Sequence, residues 1–348
     1  MRIFSVINNR HKISILNEIP SSIEYSSGYP SRAYFSNGQH SALGCIGCLN
    51  PKCMHFDGSE IGCDEVDSFP NDKSINVCPV DAITWDERMD VPAINTDKCI
   101  TCGICIRRCP VGALYFDGST IKVNTASSSY IQNYAVSKDS TELQMNQIKS
   151  LKSVRKCGVT ILETEELLQS IYEKLFTMKS NYHNIIGRNL LISLGCNCSM
   201  RRIGDVYTRM DAIYSSPDHC FGAVEIEFGR DTLDASRGIL DDIAVLYTRY
   251  EIIKDANTPL VICLQLPNAR QGYWQVVKDV KIVEHISIRT ITIGALMLLN
   301  WNGCVFTPAS EMFYLDYDNM DLRTQISNMI GRELLLGEKF FGILEPSK

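Results

Sequence analysis

Beyond about residue 160 the apolar positions fall into alternating helix-like and strand-like spacings. Thr164 caps a predicted helix running to about 179, with Leu167, Leu168, Ile171, Leu175 and Met178 on one face. Strands are predicted at 189–194, 206–215 and 221–228. A second helix fits 234–250, where Ile239, Leu240, Ile243, Leu246 and Tyr250 share a face. Residues 259–266, PLVICLQL, read as a buried strand. A short helix at 273–283 and a strand at 287–298 follow, and 320–336 forms one more amphipathic helix. The predicted order is α-β-β-β-α-β-α-β.

The earlier half is less periodic. Residues 1–40 mix Gly, Ser, Pro and Tyr and suggest no function. Residues 126–155 are rich in Ser, Thr, Asn, Gln and Lys and read as a linker. One internal repeat stands out: Cys78-Pro-Val-Asp-Ala-Ile-Thr-Trp matches Cys109-Pro-Val-Gly-Ala-Leu-Tyr-Phe. The expected division is an N-terminal extension (1–40), a cysteine-rich domain (41–125), a linker (126–158), an α/β domain (159–305) and a C-terminal extension with a helix (306–348). No apolar run is long enough to span a bilayer. The opening MRIFSVINNRHKISILNE lacks the order of a secretory signal. The expected location is the cytoplasm, away from membranes.

Composition adds two facts. The chain has 348 residues, 45% hydrophobic and 21% charged, the balance of a globular protein. Its net charge of −6 is concentrated in residues 41–125, which hold 7 Lys/Arg and 12 Asp/Glu. That excludes a strongly basic nucleic-acid binder but leaves room for a local phosphate-contacting cleft.

Fifteen cysteines are too many, and too clustered, for a disulfide framework in a reducing compartment. Nine lie between residues 45 and 110. Cys99, Cys102, Cys105 and Cys109-Pro110 form the run C-x2-C-x2-C-x3-C-P. Three thiolates at this spacing wrap a loop around an iron–sulfur cubane, and the fourth serves the other cluster. The partner half reads Cys45-x2-Cys48-x4-Cys53, then Cys78-Pro79. Zinc bound by two C-x2-C knuckles is the alternative, but it leaves the run and its repeat unexplained.

This pattern closely resembles the bacterial two-cluster ferredoxins. The resemblance implies two [4Fe–4S] clusters, one on Cys99, Cys102, Cys105 and Cys78, the other on Cys45, Cys48, Cys53 and Cys109. The sequence departs from the family in the Cys53 spacing and the insertion after it. That insertion contains Cys63, an alternative third ligand.

A second constellation is acidic. Asp211 precedes Gly222-Ala-Val-Glu-Ile-Glu-Phe-Gly229. On a strand, Glu225 and Glu227 share a face about 7 Å apart. A pairing hairpin brings Asp211 toward them, a set of hard oxygens suited to Mg²⁺ or Mn²⁺. These residues resemble the PD-(D/E)xK nuclease superfamily, with its α-β-β-β-α-β restriction-endonuclease-like core. The resemblance implies an α+β chain in which Asp211 and Glu225 hold the metal and Asp211, Glu225 and Glu227 are catalytic. Glu227 stands where the family has lysine, as in the E-x-E restriction enzymes.

Smaller expectations complete the reading. Glu166 and Asp205 are alternative metal ligands, and Arg201, Arg202, Arg209 and Arg230 are candidate phosphate contacts. Cys196-x-Cys198 is too small for a metal site alone. Cys157, Cys263 and Cys304 suit a buried core, and His219 and Cys220 sit at a hairpin tip without a catalytic role.

Three functions follow: an iron–sulfur, Mg²⁺-dependent DNA endonuclease in defence against foreign DNA, a ferredoxin-type electron-transfer protein, or a non-catalytic nucleic-acid-binding subunit. The corresponding partners are DNA, a second copy of the chain, and a redox or defence protein.

Overall fold

The computed structural model describes residues 45, 51–89, 91–109, 113–117, 119–123, 161–229 and 232–348. They divide into two compact units. The first takes residues up to Asp57, Ile75–Phe176 and Asn300–Cys304. The second takes Gly58–Ser74, Thr177–Leu299 and Val305–Lys348. The expected linker, together with Cys48, Cys157 and Arg230, lies outside the described residues.

The first unit is built around a structural repeat. Strands β1 (Ile83–Asp86) and β2 (Val91–Ile94) form one antiparallel hairpin. Strands β3 (Leu114–Asp117) and β4 (Thr120–Val123) form the other. Each hairpin starts five residues after a Cys-Pro dipeptide, so the sequence repeat is also a repeat of form. Helix α1 (Ile104–Arg108) precedes Cys109. Helix α2 (Ile161–Leu175) closes the unit, and Lys174 Nζ donates to the Cys99 carbonyl at 2.6 Å. Ile100, Ile104, Ile106, Leu114, Phe116 and Ile121 form its core.

The second unit is a mixed sheet in the order β5-β6-β7-β8-β9. Its strands are β5 (Asn197–Met200), β6 (Ala212–Ser215), β7 (Phe221–Glu227), β8 (Leu260–Cys263) and β9 (Arg289–Thr292). The first three pair antiparallel, and β7-β8-β9 pair parallel. Helices α3 (Ser180–Ser193), α4 (Leu233–Tyr250) and α5 (Tyr273–Glu284) precede β5, β8 and β9 respectively. Helices α6 (Ile293–Trp301) and α7 (Leu322–Ile330) follow. Every residue of β8 is buried, as a parallel strand covered on both faces requires.

The sheet unit shows the order α-β-β-β-α-β-α-β only with α3 and β5, neither of them expected, as its first helix and strand, and four expected elements differ. Residues 189–193 end α3 and Leu194 caps it, because a short apolar-rich run (Asn-Leu-Leu-Ile-Ser-Leu) fits a buried helix as well as a strand. Residues 206–211 stay out of β6. Asp205 Oδ1 takes the amides of Tyr207 (3.0 Å) and Thr208 (2.8 Å), donors a ladder would need. Strand β9 stops at Thr292, whose Oγ1 accepts from Ala295 N at 3.1 Å and starts α6. The helix expected at 164–179 belongs to the first unit, and α3 takes its place ahead of the sheet.

Gly222 lets β7 meet the backbone at Thr258, where a Cβ would collide with the Thr258 carbonyl oxygen. That carbonyl also accepts from the buried Tyr214 hydroxyl at 2.9 Å. Gly222→Ala should therefore destabilise the second unit by about 1–3 kcal/mol in urea melts, with unchanged iron content.

Candidate iron–sulfur centre and acidic cleft

Cys78, Cys99, Cys102 and Cys105 line one small cavity in the first unit, closed by Val77, Val80, Ile83, Ile94, Ile104 and Ile121. Cys78 is half-buried and the other three are buried. Gly103, between two of these cysteines, has φ +76°. A Cβ there would lie 2.8 Å from Phe116 Cζ and 3.0 Å from Trp301 Nε1. Trp301 also donates to the Cys102 carbonyl at 2.9 Å, fixing the loop from outside.

Backbone amides point at the sulfurs. Ala82 N lies 3.2 Å from Cys78 Sγ, and Ala113 N lies 3.2 Å from Cys109 Sγ. These are the same positions of the sequence repeat. Thr101 N donates to Cys99 Sγ at 3.4 Å.

Burial raises the thiol pKa values of Cys99, Cys102 and Cys105. Neighbouring thiolates add to this, Cys78 for Cys99 and Cys102, and Cys102 and Cys78 for Cys105. Four convergent thiols in an apolar space need a compensating cationic group to ionise. The donor set and its amide hydrogen bonds thus fit an iron–sulfur cluster.

Residues 75–113 match a family described as a 4Fe-4S dicluster domain. This segment is a ferredoxin-type 4Fe–4S domain. The chain resembles an uncharacterised ferredoxin of Methanocaldococcus jannaschii, at 30% identity over 79 residues (20% of this chain, 49% of the relative). It resembles ferredoxin-1 of Caulobacter vibrioides at 37% over 68 residues (18% and 58%). It also resembles the polyferredoxin-like subunit of an aliphatic sulfonate oxidoreductase from Pyrococcus furiosus, at 42% over 41 residues (12% and 24%). The chain thus spans between about a quarter and three fifths of the length of these relatives. No solved structure matches.

The second cluster's expected ligands are described in part. Cys45, Cys53 and Cys109 lie in the first unit, which contains the ferredoxin-type segment. Cys63 is part of the second unit. Its amide donates to Ser199 Oγ at 3.1 Å, and its thiol faces the carbonyls of Asn197 (3.6 Å) and Ile213 (3.5 Å). Burial pushes that thiol up to about 12, the state of an inert core cysteine.

In the second unit Asp211 stands just before β6, and the Ile226 amide on β7 donates to its Oδ2 at 3.0 Å. Asn184 on α3 donates to Oδ1 at 2.8 Å, and Arg201 lies 3.4 Å away. Glu225 is beside Asp211, and its carboxyl is pushed up to about 9 by burial, then by Asp211, Asp242 and Glu227. Asp242 on α4 is 2% exposed, and burial and Asp211 raise its pKa also. Asp242 is the residue the sequence reading missed, although it occupies the apolar face of α4 with Ile239, Ile243 and Leu246. Glu227 turns back to accept from the Gly229 amide.

A cleft of about 610 Å³ opens beside these acids, lined by Asn181, Asn184, Arg201, Arg202, Asp211 and Glu227 among others. Arg201, Arg202 and Arg209 each face an acid, Asp211, Asp205 and Asp241. Glu166 is exposed on α2 in the first unit, and Asp205 caps its own loop. Cys196, Cys198 and Cys263 are buried in the second unit. Among the described residues neither the acids of this cleft nor the cysteines of the cavity stand, as placed, in a ready-formed group of three or more metal ligands; the cysteines are brought together as the lining of one cavity. The carboxylates offer the right donor type for Mg²⁺, but their arrangement is not a formed cation site.

Two predictions follow from these sites. Cys78→Ser should halve the iron per chain, from about eight to about four. Cys63→Ser should keep all of it, as read by iron analysis after anaerobic purification. The raised carboxyl pKa of Glu225 sets a sign for pH dependence. The folded chain binds a proton the unfolded chain releases above 4.5, so the associated stability falls as pH rises from about 4.5 toward about 9. Glu225→Gln should therefore stabilise the protein by roughly 1–3 kcal/mol at pH 8 and by much less at pH 5, as read by urea melts at both pH values.

Proposed function

We propose that the chain is a ferredoxin-type electron-transfer protein carrying two [4Fe–4S] clusters in the first unit. Cys99, Cys102, Cys105 and Cys78 would hold one cluster, and Cys45, Cys48, Cys53 and Cys109 the other. The observation that carries this reading is the four-cysteine cavity, with Cys78 reaching toward the surface while the other three stay buried. One corner of the bound cluster would then lie where a partner's redox centre can approach.

When bound, the clusters supply one-electron chemistry. The protein's own part is to exclude water with the isoleucines of the cavity and to offset added negative charge. The Ala82, Thr101 and Ala113 amides serve the second purpose. Of the net charge of −5 over residues 41–125, −4 lies on residues 58–74 in the second unit (five acids and Lys73), so a basic partner would be drawn to that segment rather than to the cluster-bearing unit itself. A reducing, cytoplasmic compartment agrees with the free thiols, and no helix among the described residues is long and apolar enough to cross a membrane.

A second reading, phosphodiester cleavage, is favoured by one observation in the second unit. Asp211, Glu225 and Asp242 lie near one another on elements in the α-β-β-β-α-β order, and Asp211 lines a cleft with Arg201 and Arg202. In that reading the unit acts on DNA with Mg²⁺ or Mn²⁺, as a homodimer and in a defence role, or survives as a non-catalytic nucleic-acid-binding subunit.

Anaerobic redox titration followed by electron paramagnetic resonance tests the first reading. Reversible one-electron reduction of both clusters, without iron loss, is the expected result. Clusters that stay oxidised or break on reduction would make them structural. Plasmid and single-stranded DNA incubated with Mg²⁺ or Mn²⁺ test the second. Cutting by wild type, with binding but no cutting by Glu225→Gln, would establish a nuclease. DNA retained without cutting would leave a binding subunit, and neither would remove nucleic acid from the account.

A further inference from the structure

Residues 58–74 leave the ferredoxin-type sequence between two of its cysteines and pack as part of the second unit. This strap covers the free edge of β5. Cys198 N donates to the Glu60 carbonyl at 3.0 Å, Asp72 N to the Met200 carbonyl at 2.7 Å, and Arg202 N to the Pro70 carbonyl at 2.8 Å. The contacts from Pro70 and Asp72 flank the antiparallel Asn71–Arg201 bridge, and the contact from Glu60 comes from the strap's other end, so both ends of the strap touch this edge. Ile61, Cys63, Val66 and Phe69 are buried. Asp72 lies 3.8 Å from Arg188, which is wholly buried.

The strap's last partners are the residues that form the cleft wall. Arg201 pairs with Asn71 across a bridge and donates its amide to the Asp211 carbonyl at 2.8 Å. Its guanidinium donates to the Thr208 carbonyl at 2.8 Å. Release of the strap would therefore free Arg201 on one side.

The two ends of the strap meet in a neck inside the first unit. Phe56 N donates to Ile75 O at 2.8 Å, Val77 N to Met54 O at 2.9 Å, and His55 bridges Asn76. A two-stranded ribbon this short is marginal in water by itself. Its outer ends are Cys53 and Cys78, each adjacent to a neck residue. On the ligand assignment above, on which this inference rests, one end is held by each cluster.

We propose that the strap couples cluster occupancy in the first unit to the order of β5 and the Arg201–Asp211 wall in the second. With both clusters bound the neck is clamped and the strap keeps its register. With the clusters gone the neck opens, the strap leaves the sheet edge, and the cleft wall loosens.

The test is hydrogen exchange by mass spectrometry on the full-length protein under anaerobic conditions, before and after iron removal with a chelator. Peptides covering Cys198–Arg202 and Asp72 should exchange about tenfold faster or more after iron removal, while β8 keeps its protection. A second protein carries short Gly/Ser spacers between Asp57 and Gly58 and between Ser74 and Ile75. Slack at these points should make β5 protection insensitive to iron removal, with cluster content retained.

Equal protection at β5 with and without iron would overturn the proposal. So would parallel loss at β8, which would make the clusters a general folding staple. Iron analysis runs alongside: a chain that takes up no iron fails at the ligand assignment, and the proposal falls with it.

Discussion

The demand that governs the first unit is electrostatic. Cys78, Cys99, Cys102 and Cys105 face one apolar space in which each thiolate would raise the cost of its neighbours. Isoleucine packing removes the water that would otherwise screen them, so four such donors need a compensating cationic group, which the iron of the proposed cluster would supply. The remaining features serve that condition. Gly103 takes a left-handed turn under Trp301, and amides at matching positions of the repeat point at Cys78 and Cys109. Lys174 holds the Cys99 carbonyl.

Much of this was legible because cluster chemistry is local in sequence. The C-x2-C-x2-C-x3-C-P spacing and its repeat mark the cysteines of the cavity and the hairpins together, and both hairpins start at the same offset from a cysteine. The fate of Cys63 was not legible. It lies among the cysteines in sequence, but whether it faces a cluster depends on where its insertion packs. That is a tertiary choice, made by the open edge of β5 and by partners more than a hundred residues away.

The second unit divides in the same way. Helix α4 and strand β7 were readable because an amphipathic helix and an alternating strand carry their period over many residues. Residues 189–194 were not, since four apolar residues among six, with Asn189 and Ser193, are too short a run for a period that separates helix from strand. Strand β6 was overextended because the Asp205 side chain, not the backbone, claims the next donors. Asp242 left a faint trace as one acid on an apolar helical face. Its meaning depends on Glu225, which lies opposite only after the sheet forms.

The acidic pocket and the cysteine cavity pose the same physical problem with different remedies. Both gather anionic donors away from water. In the cavity the thiols surround a space and amides are aimed at the sulfurs. In the pocket the remedies are piecemeal: Ile226 N and Asn184 serve Asp211, Arg201 supplies a nearby positive charge, and protons remain on Glu225 at neutral pH. Such a pocket is electrostatically unfinished, since Arg201 beside Asp211 and Glu225 and Arg209 near Asp242 do not offset the burial that raises all three carboxyl pKa values. A site of this kind responds strongly to any added cation or to movement of Arg201. Residues 200–202 accept and donate the strap's hydrogen bonds and also carry the Arg201–Asp211 contact, so a change in the backbone there reaches the cleft wall directly.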